Sequence, residues 1–261
     1  MKKFLAIVLW LAACSAHAGT YLELGHEQAD KATQTSQKIW AEGGKLRVEV
    51  KSAGGTDSIL LFKDDALYTV DPRARRYARI DRATVVRMGS QLKAARAQLE
   101  AQLASMPKEQ RAMMESMMAG AMMPAAAPKR DLRETNRKEE AAGYACKVWE
   151  VLEAGAKVTE LCVVDPQKLP AGADLAASMK TFGALAKEMA ESMGVSGALD
   201  DSWTQLETVK GWPVITRHFA QGKMTDELAL RLVREEKCGA SPFEVPAGYV
   251  QQELHEGMRG R

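Results

Sequence analysis

Seven methionines fall between positions 106 and 123: Met106, Met113, Met114, Met117, Met118, Met122 and Met123. Thioether sulfur is a soft ligand that suits Cu(I). On a helix, Met113 with Met117 and Met114 with Met118 would lie one turn apart on one face. No His or Cys lies in the segment to complete a metal site. Methionine is also the adaptable filler of apolar surfaces that accept varied partners. We read Met113, Met114, Met117 and Met118 as an apolar lid or core face over a ligand. A Cu(I) or envelope-stress site is the second reading, and an exposed partner-binding helix is the third.

Other chemistry is sparse. Of the histidines, His17 lies in the leader, His26 and His218 lie on predicted strands, and His255 lies in a polar tail. Zinc needs three or four converging ligands at tight spacing, and no such local cluster exists. There is no G-x-S-x-G elbow, no C-x-x-C pair and no phosphate-cradling glycine loop. The paired acids Asp64-Asp65, Asp200-Asp201 and Glu139-Glu140 read as solvated residues of turns or charged runs. A glycosidase pair would meet only in space. The expectation is a non-enzymatic protein with no catalytic residue, metal or cofactor.

The N-terminus explains the setting. Lys2-Lys3, an apolar run from Phe4 to Ala13, and Ala16-His17-Ala18 follow the charge, grease and small-residue order of a signal peptide. The run is too short to cross a bilayer, which takes roughly 20 residues. Cleavage after Ala18 would release a periplasmic protein. Leu11-Ala12-Ala13-Cys14 also has lipobox character, and acylation of Cys14 would instead give an anchored outer-membrane lipoprotein. Losing residues 1–18 lowers Lys plus Arg from 36 to 34, matching the 34 acids. Such a neutral chain lacks the basic footprint that nucleic acid or an acidic membrane would demand.

Export also bears on the cysteines. Tyr144 to Leu152 and Lys157 to Val164 read as strands around Glu153-Ala154-Gly155, a hairpin that sets Cys146 opposite Cys162. An oxidising compartment favours their pairing as a disulfide. Cys238 is left over and reads as a small buried hydrophobe, with intermolecular pairing as the alternative.

Mostly strands would hold these residues in place. Tyr21 to Leu24, Lys45 to Lys51, Ile59 to Phe62, Ala66 to Val70 and Tyr77 to Ile80 are short and joined by tight turns, so they pair antiparallel. Gly54-Gly55 reads as one of those turns, and Lys45, Arg47, Glu49 and Lys51 as a charged, solvated face. Val85, Met88, Leu92, Ala95, Leu99 and Leu103 recur at helical spacing, and Pro107 breaks the run or opens a second helix. Leu175, Met179, Phe182, Ala186, Met189 and Met193 mark another helix. Trp203 to Val209, Val214 to Phe219 and Leu228 to Glu235 return to strand. The expected fold is α+β on an antiparallel sheet. A single domain would span 19–261, with a helical insertion at about 83–123 and a loop at 124–130.

Several short motifs carry a resemblance. The stretch Ser241-Pro242-Phe243-Glu244-Val245-Pro246-Ala247-Gly248-Tyr249 resembles the closing motif of a group of exported bacterial domains of unknown function. Gly143-Tyr144-Ala145-Cys146, Gly211-Trp212-Pro213-Val214 and the Met-rich helix from Pro107 to Met118 match the same group. So do Lys45 to Glu49 and Tyr68 to Pro72. That group is similar in fold to the periplasmic lipoprotein carriers of the LolA/LolB type. The resemblance implies a curved, incomplete antiparallel β-barrel with amphipathic helices covering the concave face. It implies an apolar ligand such as a lipid or acyl chain, and it supplies no catalytic residues. An envelope protein partner is the alternative to that ligand.

Overall fold

Five hairpins turn on two residues that both have positive φ: Gly43-Gly44, Asp64-Asp65, Ala142-Gly143, Ala154-Gly155 and Gln221-Gly222. Such turns match the right-handed twist of the strands that they join. The chain is described from a computed structural model over residues 19–28, 31–52, 54–108, 110–111, 129–193, 208–237 and 240–252. Its strands are β1 (Gly19–Gln28), β2 (Lys31–Glu42), β3 (Lys45–Ser52), β4 (Gly55–Lys63), β5 (Ala66–Asp71) and β6 (Arg76–Ile80). After helix α1 (Arg82–Ser105) come β7 (Arg130–Ala141), β8 (Tyr144–Glu153) and β9 (Ala156–Val164). Helix α2 (Gly172–Met193), β10 (Trp212–Ala220), β11 (Lys223–Glu236) and β12 (Val250–Gln251) complete the set.

All twelve strands among the described residues join one sheet in the order β12-β6-β5-β4-β3-β2-β1-β11-β10-β9-β8-β7. Every pairing is antiparallel except the short β12 beside β6. The sheet is open, with β12 and β7 at its edges. Yet β7 returns to within 8 Å of β11, Cα to Cα. Four flat strand spacings would separate them by about 19 Å, so this end of the sheet is curled.

Packing differs along the sheet. Helix α2 lays Leu175, Met179, Phe182, Leu185 and Met189 against Leu22, Ile39, Leu46 and Phe62 on one face. On the other face of β4 and β5, Ile59, Leu61 and Val70 are covered by Val245 and Tyr249 of the C-terminal segment. Asp81 caps α1, its carboxylate accepting from the Thr84 N–H at 2.9 Å. That bond holds the Asp81 carboxyl below its usual range.

The structure corrects several expectations. Lys45, Arg47, Glu49 and Lys51 do not form a solvated face, because Arg47 is buried. Its guanidinium donates to Glu49 at 2.6 Å and to the Pro242 carbonyl at 2.7 Å, under the C-terminal segment. Glu139-Glu140 belong to strand β7, where Glu140 is exposed and Glu139 half-buried against Arg217, and Arg130 opens that strand instead of ending a loop. Thr208 and Val209 are helical, not strand. The α1 stripe is fully buried only at Val85; Met88, Leu99 and Leu103 are half-buried, and Leu92 and Ala95 are exposed. Cys146 and Cys162 form a disulfide, with Cα atoms 5.3 Å apart. They are not directly opposite, however. The turn is only Ala154-Gly155, and a register shift after Val151 sets Cys162 across from Val148, so the bridge is diagonal.

Candidate functional site

The interface beneath α2 is apolar along its length and tethered at one end. Phe182 meets Phe62 edge to face, with centroids 5.7 Å apart. The polar ties sit at the N-terminal end of the helix. Thr20 Oγ1 donates to the Ala171 carbonyl at 2.5 Å, and the Gly43 N–H donates to Asp174 at 3.4 Å. At the far end α2 is held by α1, which crosses it at Gly89. A Cβ there would stand 2.6 Å from the Ser192 carbonyl oxygen, so only glycine allows this approach. An Arg82–Glu188 ion pair at 2.9 Å, largely solvated, adds little. Among the described residues the buried Ser178 hydroxyl has no hydrogen-bond partner, so the described sheet offers α2 no polar anchor at that point.

Clefts open to solvent among the described residues. One, of about 570 Å³, lies between the ends of β1, β2, β3 and β11 and is lined by Gly25, His26, Ser36, Lys51 and Arg231, among others. Its charges are paired, Arg231 with Glu27 at 2.5 Å and Lys51 with Glu49 at 3.3 Å, and the His26 ring lies 3.4 Å from Asp226. Another, of about 430 Å³, has Trp149, Ala145 and Val163 along the sheet and Lys147, Lys168 and Lys210 among its charged residues.

Inside the curl lies a charged row. Glu150, Glu160, Arg217 and Glu227 are ladder neighbours across β8, β9, β10 and β11 and therefore share a face. Next to them runs the apolar row Val148, Cys162, Ile215 and Ala229. Arg217 donates to Glu160 at 2.8 Å and to Glu227 at 2.7 Å, and it reaches Glu139 on β7 at 2.8 Å. Glu160, 3% exposed, also accepts from Arg137 and from Lys157 at 3.1 Å. Burial alone would raise the Glu160 carboxyl. The bonds from Arg137, Arg217 and Lys157 outweigh it and hold the carboxyl at about 2. The guanidinium of Arg217, desolvated but bound by three glutamates, is pushed further up. A paired network of this kind shapes the curl.

Met113, Met114, Met117 and Met118 lie outside the described residues, as do Cys14, Cys238 and residues 1–18. His26 and His218 stand on β1 and β10. Among the described residues no group of three or more His, Cys, Asp or Glu could hold a metal ion. Nor is any described helix long and apolar enough to cross a membrane. Sequence reading missed the Glu160 network and the Trp149 cleft. Glu160 beside the apolar run Leu161 to Val164 was the available signal, since a charge inside a buried strand demands partners.

The molecule is thus of the open antiparallel sheet class, with a helical layer on one face and an internal charged row. The sequence matches the family DUF4412, a domain of unknown function, over residues 78–249, and the chain belongs to that family. No curated protein matches it. An uncharacterised conserved protein from Thermus thermophilus is similar at 9% identity and a TM-score of 0.45, with 91% of each chain covered. MucB in the Pseudomonas aeruginosa MucA/MucB complex is similar at 10% identity and a TM-score of 0.39. That match covers 89% of this chain and 56% of the other, so the chain spans little more than half of MucB.

Proposed function

We propose that this is a non-enzymatic, exported protein that carries an apolar ligand, with the sheet as an incomplete barrel and α2 as a hinged lid. One observation carries the reading. The helix–sheet interface is lined by adaptable apolar side chains, Met179, Phe182 and Met189 among them, while its polar ties to the sheet sit at the Thr20 and Gly43 end. A helix held in this way can lift its α1-bound end, with α1 moving alongside it, without breaking buried hydrogen bonds, and thioether chains re-pack readily around a guest. In the geometry described, those side chains fill the space themselves. A ligand such as an acyl chain would replace them against Leu22, Ile39, Leu46 and Phe62.

Native mass spectrometry of protein purified from a bacterial periplasm tests this. Adducts of lipid mass that vanish on denaturation are expected. A bare chain, unchanged by added fatty acid, would remove the carrier reading and turn attention to an envelope protein as the partner.

A further inference from the structure

The Trp149 cleft is built in a way that packing alone does not explain. Its outer wall is the turn at Val209, Lys210 and Gly211. Val209 is buried against Val151, Leu161 and Val163. Gly211 sits so close to β9 that a Cβ would lie 2.3 Å from Val163 Cγ1 and 2.7 Å from the Val164 carbonyl oxygen. Between these anchors Lys210 is held at φ 49°, a left-handed conformation that glycine or asparagine adopts at lower cost. A long cation therefore stands where local preference calls for another residue, on a backbone fixed from both sides. Lys168, on the 3-10 turn that leads into α2, lines the same cleft.

Charge sets the ligand class. Lys147 is matched by Glu134 at 3.2 Å. The Asp165 carboxylate accepts from the Gln167 N–H at 3.0 Å, a donor that supplies no charge, so three lysines face two carboxylates in the cleft. Among the described residues, Lys168 and Lys210 have no ion-pair partner. Two unmatched ammonium groups flank an indole and aliphatic surface, in a cleft whose volume of about 430 Å³ falls within the range of small-molecule sites. Val164 lines this cleft and also belongs to the core packed beneath α2.

We propose that the Trp149 cleft binds the oxyanion head, carboxylate or phosphate, of an amphipathic ligand through Lys168 and Lys210. The inference rests on the carrier reading and adds the head group to it. Trp149 and Val163 face away from the core side that holds Val148, Cys162 and Val164, so the head docks on the outer face beside the segment that enters α2, and the apolar body turns round the end of β9 at Val164 to lie under the helix.

The test is fluorescence titration of the full mature chain with dansyl-undecanoic acid and with its methyl ester, in wild type and in the Lys168→Met, Lys210→Met double variant. Methionine keeps the apolar stem and removes the charge. The acid should bind wild type more tightly than the ester. The double variant should weaken acid binding by about tenfold, the scale of two solvent-facing charge contacts, and leave ester binding within about twofold. Acid binding that is equal in wild type and variant would overturn the head-group site while leaving the carrier reading intact. If neither probe binds wild type, the carrier reading falls. Titration with inorganic phosphate then decides the site by itself: binding lost in the variant upholds it, and no binding overturns it.

Discussion

Replacing Glu160 with glutamine tests the claim that the curled end of the sheet is organised by its buried charges. Glutamine preserves shape but removes the charge that Arg137, Arg217 and Lys157 surround. Lowering the carboxyl from 4.5 to about 2 corresponds to about 3 kcal/mol of stability at neutral pH. Because the folded-state value is depressed, that stability is present above pH 4.5 and is lost as pH falls from there through about 2. Glu160→Gln should therefore unfold more easily at pH 7, with a urea midpoint lower by about 1 M. The difference from wild type should shrink steadily below about pH 4 as the wild-type carboxyl takes up its proton. Urea titrations monitored by tryptophan fluorescence at pH 7, 5 and 3 measure both effects. Coincident midpoints at pH 7, or a gap that persists undiminished at pH 3, would show that these charges do not organise the curl.

Four further perturbations probe the backbone, the packing and the disulfide. Gly211→Ala drives a Cβ into Val163 and the Val164 carbonyl and should cost about 2 kcal/mol. Gly44→Ala, with open space around it but φ at +79°, should cost about 1 kcal/mol; chemical denaturation ranks the two. Reducing Cys146–Cys162, which closes a loop with a sequence separation of 16, should lower stability by about 3 kcal/mol, read as a drop in Tm with dithiothreitol. Thr20→Val removes the bond to the Ala171 carbonyl and should cost about 1 kcal/mol, with faster proteolysis near the start of α2 than elsewhere.

What the residues disclosed, and what they hid, follows from how local each signal is. Strict alternation at Lys45 to Lys51 and the paired turn residues Asp64-Asp65 and Ala154-Gly155 announce their hairpins, because strand period and turn chemistry act over a few residues. The α2 stripe from Leu175 to Met189 was legible for the same reason. Strand β7 was not: Arg130 to Ala141 is mostly charged, and it is a strand because Arg133, Arg137 and Glu139 find partners on β8, β9 and β10. Such pairing depends on residues distant in sequence. The burial of Arg47 was likewise hidden, since it depends on Pro242 arriving from the far end of the chain. Lys210 became a candidate only once its backbone was seen to be left-handed, which no composition or spacing reveals.

The hinged lid is the step on which the carrier function depends, and hydrogen–deuterium exchange of the mature protein with and without dodecanoate probes it without intermediaries. Faster exchange is expected in the C-terminal half of α2 on adding dodecanoate, with the Thr20 and Ala171 end unchanged and β2 to β4 still protected. Identical exchange with and without dodecanoate, at concentrations up to its solubility, would rule out the lid and leave α2 as a permanent part of the core.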